Sequence, residues 1–373
     1  MKIDHLRKRK LKNLRKTMSS IMYNIDDIQL IPARITEIEH RSECNTFNAD
    51  GKLPLFTAPM NSVIDADNYM DFEECKINTI IPRGVTYDIR LKLCTKTFVA
   101  MSLTEFSMFI NEYNIENEIC YVCIDVANGH MKKLIDLCIT AKNKFGNNIV
   151  LMTGNIANPE TYIDYAIAGI DFVRCGIGGS KVCRTTKYTG VGYGMVSLIK
   201  EIADRKYIIE KCINDASTLN IPCKYKSVPF IVADGGFDDI DKVIKALALG
   251  ADFVMCGRLF AQCEEACGET YWQYPQDIIN LSTEDKQRLV YHEPACAYGF
   301  HLRDYYGMST HRAQKETGRA TLAAEEGIET YVDIKYTLEY WCTLFTSYLQ
   351  SAMSYANAKT LEEFKNTLYK IIN

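Results

Sequence analysis

Eight short apolar runs recur along this chain, each bounded by turn residues, and most neighbours are separated by a segment with helical spacing. The runs are LPLFTA (53–58), NTIIP (78–82), TFVAMS (97–102), ICYVCID (119–125), NIVLMTG (148–154), DFVRCG (171–176), PFIVAD (229–234) and DFVMCG (252–257). Runs this short and this uniformly apolar suit strands buried on both faces, as in a parallel sheet. Met131 to Lys144 places Leu134, Ile135, Cys138 and Ala141 on one helical face. Asp239 to Leu249 does the same with Val243, Ile244 and Leu247, and Gly250 follows as a C-terminal cap. Eight strand–helix units in one chain predict an α/β fold, a (β/α)₈ TIM barrel with an N-terminal arm, a C-terminal flap and further helices.

No low-complexity linker splits the 373 residues, so the expectation is a basic tail over 1–22 and a single barrel domain over 23–373. The stretch 204–227 is longer than a loop requires and reads as an insertion. Beyond the eighth run, a polar segment near 309–327 reads as a flap. Two helices are predicted after it, Tyr336 to Ala356 and Leu361 to Ile372. The tail carries eight Lys or Arg between Lys2 and Lys16, the pattern of a solvated, poorly ordered arm. A net charge of -4 gives no global case for nucleic acid. No apolar run reaches the length of a membrane span, and MKIDHLRKRKLKNLRK lacks the apolar stretch of a signal peptide. Fifteen cysteines without such a signal read as reduced thiols and a cytoplasmic protein. Cys120 and Cys123 fall on opposite faces of one strand, and Cys256, Cys263 and Cys267 have no histidine beside them, so zinc is not expected.

Polar features gather where the strands end, which is where barrels of this class build their sites. Asp125 closes the fourth run and TGN the fifth. The sixth runs into CGIGGSKVCRTT (175–186), the seventh into Asp234–Gly236, and the eighth into Cys256–Arg258. Glycines after the last strands commonly bind phosphate through backbone N–H groups, and Lys181 and Arg258 add charge there. A glycine-delivered cysteine beside cations is the setting of a nucleophilic thiolate. The residues thus point to a phosphorylated ligand next to Cys183.

The same motifs, with YNIDDIQLIPAR (23–34), LFTAPMNSV (55–63), DVANGH, TGNIANPE (153–160), GIGGSKVCRTTKYTGVGYG (176–194), FVMCGRLFAQCEEACGE (253–269), YYGMS (305–309) and EEGIE (325–329), resemble the IMP dehydrogenase and GMP reductase family. The resemblance implies that Cys183 attacks C2 of a purine nucleotide, hydride passes between that carbon and a nicotinamide, and the adduct is then resolved. It implies that Thr185 and Glu326 move protons, and that Asp234 holds the ribose hydroxyls. Gly235, Gly236, Gly257 and Arg258 fall at or beside the phosphate positions. Met60, Tyr306, Gly307, Met308 and Gly327 line the nucleotide. Asp125, Ala127, Asn128 and Gly129 belong to the cofactor side, and carbonyls of Gly176, Gly178, Ser180 and Cys183 to a potassium site.

Three features favour the reductase branch: the DVANGH form of the fourth loop, the absence of a CBS pair between the early strands, and a flap without the Arg-Tyr pair that activates water in the dehydrogenases. The expected reaction is reduction of GMP by NADPH to IMP and ammonia, in a homo-oligomer (tetramer or octamer). IMP dehydrogenase and a nucleotide-binding pseudoenzyme are the alternatives. The chain departs from the family at several positions. Gly179-Ser180 stands for Pro-Gly, Arg184 and Arg258 replace small residues, and Asn61 stands for an aspartate. Ala323 falls where many reductases have an arginine.

Overall fold

The computed structural model describes residues 21–115, 118–179, 185–273, 300–307, 309–317 and 327–372. Each of the eight apolar runs holds a barrel strand, the fifth of these strands continuing two residues beyond its run. These are β2 (Leu55–Thr57), β3 (Ile80–Ile81), β4 (Phe98–Met101), β5 (Cys120–Asp125), β6 (Ile149–Ile156), β7 (Phe172–Cys175), β8 (Phe230–Asp234) and β9 (Phe253–Cys256). They pair in parallel in the order β2-β9-β8-β7-β6-β5-β4-β3. A parallel bridge between Phe56 and Asn78, just ahead of β3, brings the two edge strands together and closes the ring.

The strands alternate into two cores, as a period of two requires. In β5, Cys120, Val122 and Ile124 pack outward against the helices, while Cys123 joins the inner cluster. The two cysteines of CYVC therefore lie on opposite faces, and Cys120 Sγ meets Cys94 Sγ at 3.3 Å instead. Phenylalanines at the strand starts fill the N-terminal end of the bore. Phe56 lies 5.7 Å from Phe98, 5.8 Å from Phe172 and 5.0 Å from Phe253, ring centre to ring centre. A bore plugged at that end leaves only the C-terminal mouth open to a ligand.

The helix expected from Met131 spans Lys132–Phe145 and buries Leu134, Cys138 and Ala141. The one expected from Asp239 spans Ile240–Ala248, with the Asp239 side chain accepting a hydrogen bond from Ile240 N and Gly250 at φ +113° beyond its end. The long stretch from 204 continues the helix Met195–Leu219 up to its left-handed cap at Asn220. Part of the flap segment is also helical, His311–Glu316, capped by Thr310. Residues 318–326 of the flap and the basic tail up to residue 20 lie outside the described residues.

Two differences from the sequence reading concern strands. Leu361–Phe364 makes one helical turn only, and Tyr369–Ile371 is a strand, β13, antiparallel to β1 (Ile28–Leu30). The apolar residues there have a helical spacing, but the partner strand near the other end of the chain decides the backbone. A second sheet stands beside the barrel, β10 (Thr270–Gln273), β11 (Phe300–Tyr306) and β12 (Glu329–Asp333), all antiparallel. It carries the turn into the flap helix.

Candidate active site

At the mouth, side chains from four strands and one loop form a chain of alternating charge. Arg174, in the middle of β7, donates to Asp125 Oδ1 at 2.8 Å and to Asp234 Oδ2 at 2.9 Å. Arg83, after β3, donates to Asp125 Oδ2 at 3.2 Å. Asn155, in β6, donates to Asp234 Oδ2 at 2.7 Å and to the Gly176 carbonyl at 2.9 Å. Burial disfavours charge on Asp125, yet the guanidiniums of Arg83 and Arg174 outweigh it and hold the carboxyl below its ordinary value. Burial likewise works against the charge on Arg174, but Asp234, Cys123 and Asp125 together raise its pKa well above the usual. A guanidinium between two carboxylates fixes both acids in place, as planar bidentate donors do.

Above this layer, two glycine loops touch. Gly176 has φ +133°, and a Cβ on it would stand 2.1 Å from the Asp234 carbonyl oxygen. Gly236 has φ +91°, and a Cβ there would stand 2.7 Å from the Gly179 carbonyl. Both the backbone conformation and the close approach exclude any other residue. On the far side of the thiol loop, the Thr186 hydroxyl donates to the Ile177 carbonyl at 3.3 Å. Residues 177 and 186 thus meet, and Gly179 lies against the DGG turn that follows β8.

A cleft adjoins this contact. Of the residues expected at the nucleotide, Met60, Asp234, Gly235, Gly236, Gly257 and Arg258 line it. Tyr305 lines it as well, where the sequence reading has Tyr306. The Tyr306 hydroxyl is turned to Glu316, at 3.0 and 3.1 Å from its two oxygens. Gly307 begins the turn into the flap helix, its carbonyl accepting from Thr310 N at 3.0 Å. Gly327 is buried against that same turn, so the chain next to Glu326 returns to the flap start. Cys183, Lys181, Ser180, Met308, Glu326 and Ala323 lie outside the described residues. Of Thr185 only the backbone is described, opening the short helix Thr185–Thr189.

On the proposed cofactor side, Ala127 and Asn128 are exposed after β5, next to Asp125. Gly129 is buried, with its N–H on the Asn155 carbonyl at 2.8 Å and its own carbonyl accepting from Tyr165 Oη. It shapes the turn instead of facing outward. His130 is structural too: Nε2 accepts from Ala157 N at 3.1 Å, leaving Nδ1 to donate to Thr161 Oγ1 at 2.9 Å, and burial lowers its pKa.

Sequence reasoning did not find Arg174, Asn155, Arg83 or Tyr305. One signal was available: an arginine inside the apolar run DFVRCG cannot be buried unpaired.

The domain model for IMP dehydrogenase / GMP reductase matches residues 98–278. A GMP reductase of Oceanobacillus iheyensis is 30% identical over 368 residues, 94% of this chain and 96% of its own length. Those of Staphylococcus epidermidis and Bacillus licheniformis are 29% and 28% identical over 364 residues, with the same coverage. With the glycine loops, the paired acids and the mouth cleft on one barrel, the chain belongs to the IMP dehydrogenase / GMP reductase family.

Proposed function

We propose that this chain is a GMP reductase, an oxidoreductase that converts GMP and NADPH, with a proton, to IMP, NADP⁺ and ammonia. The observation that carries the reading is the likeness to proteins named GMP reductase along 94% of the chain. In this reading Cys183 attacks C2 of the purine, and the C2–N bond breaks as ammonia departs. Ammonia leaves badly as an amide ion, so Thr185 and Glu326 deliver the proton that it needs. A reduced nicotinamide, when bound, would supply the hydride that C2 needs, and loss of the Cys183 thiolate from that carbon would leave IMP.

Asp234, fixed by Arg174 and Asn155, holds the ribose hydroxyls. Gly236, Gly257 and Arg258 hold the phosphate. The residues on the cofactor side suit a nicotinamide nucleotide: an exposed loop at 127–128 stands beside an acid kept charged by two arginines. NADPH, potassium at the carbonyls of Gly176, Gly178, Ser180 and Cys183, a tetrameric or octameric assembly and a cytoplasmic location belong to the same reading. So does the organisation as one barrel domain with a basic tail. No helix among the described residues is long and apolar enough to cross a membrane.

The test is a paired assay that follows nicotinamide absorbance, with GMP plus NADPH and with IMP plus NAD⁺, potassium present in both. Oxidation of NADPH that depends on GMP and releases ammonia is expected. Reduction of NAD⁺ by IMP would instead favour the dehydrogenase, and silence in both would sink the enzyme reading. At the phosphate, Arg258→Leu is expected to weaken GMP about 10- to 100-fold, the worth of one charge-assisted contact, and guanosine hardly at all. Equal losses for nucleotide and nucleoside would remove Arg258 from the phosphate.

A further inference from the structure

Asn61 is a departure near the cleft whose side-chain contact reaches the flap helix. Its Nδ2 donates to Glu316 Oε2 at 2.6 Å, across 255 residues of sequence. The same carboxylate accepts from the Tyr306 hydroxyl and, at 3.1 Å, from Arg312 Nε. Arg312 lies 4.3 Å from the centre of the Tyr306 ring and pairs with Asp304 at 2.6 Å. Asn61 is itself pinned. A Cβ on Gly84 would stand 2.2 Å from its Nδ2, and the Cys267 thiol donates to its carbonyl at 3.0 Å.

Two of the three donors to Glu316 each follow a residue of the cleft wall, Asn61 after Met60 and Tyr306 after Tyr305. Those two wall residues converge on Gly257, where a Cβ would be 2.8 Å from Tyr305 Oη and 3.0 Å from Met60 Sδ. Glu316 is the last residue of the flap helix. One carboxylate therefore joins the first barrel loop, the end of β11 and the base of the flap.

We propose that Glu316 is a positioning residue that closes the nucleotide cleft by holding Asn61 and Tyr306 together, an inference that rests on the reading of this cleft as the nucleotide site. It also accounts for Asn61. An aspartate there would set two carboxylates 2.6 Å apart, with no proton donor between them. The bond needs one amide and one carboxylate, and the amide donates from whichever of the two positions holds it.

That symmetry supplies the test. Asn61→Asp is compared with Asn61→Asp/Glu316→Gln, which restores the bond with its direction reversed. Amide hydrogen exchange over 309–317 is followed without nucleotide, and GMP affinity is measured by calorimetry. N61D is expected to speed exchange and weaken GMP, each at least tenfold, and N61D/E316Q to return both to within about threefold of the parent. A double variant no better than N61D would overturn the proposal, as would an N61D protein that behaves like the parent. Exchange rescued without any change in GMP affinity would also overturn it and leave the functional reading intact. A parent protein that binds no purine nucleotide would sink the functional reading itself. Should N61D fold poorly, recovery in the double variant still decides, because only the restored bond distinguishes them.

Discussion

Cys183→Ala is expected to abolish turnover, by roughly 10⁴-fold or more, while GMP binds within about threefold of the parent affinity. The size follows from the role. A nucleophile that forms a covalent bond to C2 acts only in the chemical steps, and a methyl group cannot replace it. Binding is unaffected to first order because it is spread over the wall of the cleft. Asp234 is held by Arg174 and Asn155, Gly236 packs on Gly179, and Arg258 lines the same space. Single-turnover mixing with NADPH and calorimetry with GMP together read the two quantities. Residual turnover within tenfold of the parent would remove Cys183 from the chemistry. Binding lost in step with turnover would instead give the thiol loop a structural role.

The second large effect belongs to Arg174. Arg174→Met keeps the apolar stem and removes the guanidinium between Asp125 and Asp234. Arg174 is 7% exposed, so its two partners lose a buried cation that water cannot replace. Breaking such a group by removing one partner costs about 3–5 kcal/mol. For a chain of this size that is roughly 4–6 °C in melting temperature.

The effect carries a pH signature. The Asp125 carboxyl is held below its ordinary value in the folded protein by Arg83 and Arg174 against the opposing effect of burial. A carboxyl with a depressed folded pKa contributes stability that is present above its unfolded value, about 3.9, and is lost as pH falls through the folded value. Without Arg174 that depression shrinks. The gap in melting temperature between parent and variant is therefore expected to be full at pH 7 and to narrow below about pH 4. Melts of both proteins across that range check it. A gap of constant size would mean that Arg174 stabilises by packing alone. GMP binding should fall as well, because Asp234 loses two of its donors.

Much of the barrel was legible because its strands are buried on both faces. That condition writes itself as continuous apolar runs, and all eight were read within a few residues of their bounds. The helix Lys132–Phe145 was legible for the complementary reason, one buried stripe on an otherwise polar surface. The residues after Phe364 were misread because Leu361, Phe364 and Leu368 repeat at helical intervals. What overrides that pattern is a hydrogen-bonding partner in β1, more than 300 positions away in sequence. Tyr305 and Tyr306 illustrate the same limit at closer range. Neighbours on a strand face opposite ways, and only the register of β11 against β12 determines that Tyr305 lines the cleft and Tyr306 meets Glu316.

By itself the sequence determined the local chemistry: a thiol delivered by glycines, acids and a cation at strand ends, and a family resemblance carried by motifs in order. These are properties of residue type and short spacing, so no partner is needed to read them. Only the tertiary structure decided which of those groups act together. Asp125 and Asp234 share one guanidinium because the sheet order sets β5, β6, β7 and β8 in succession around the ring, and Asn61 reaches Glu316 because the flap helix folds back over the first barrel loop. Charge pairs and hydrogen bonds of this kind act over a few ångströms, and sequence separation does not encode that distance until the chain has folded.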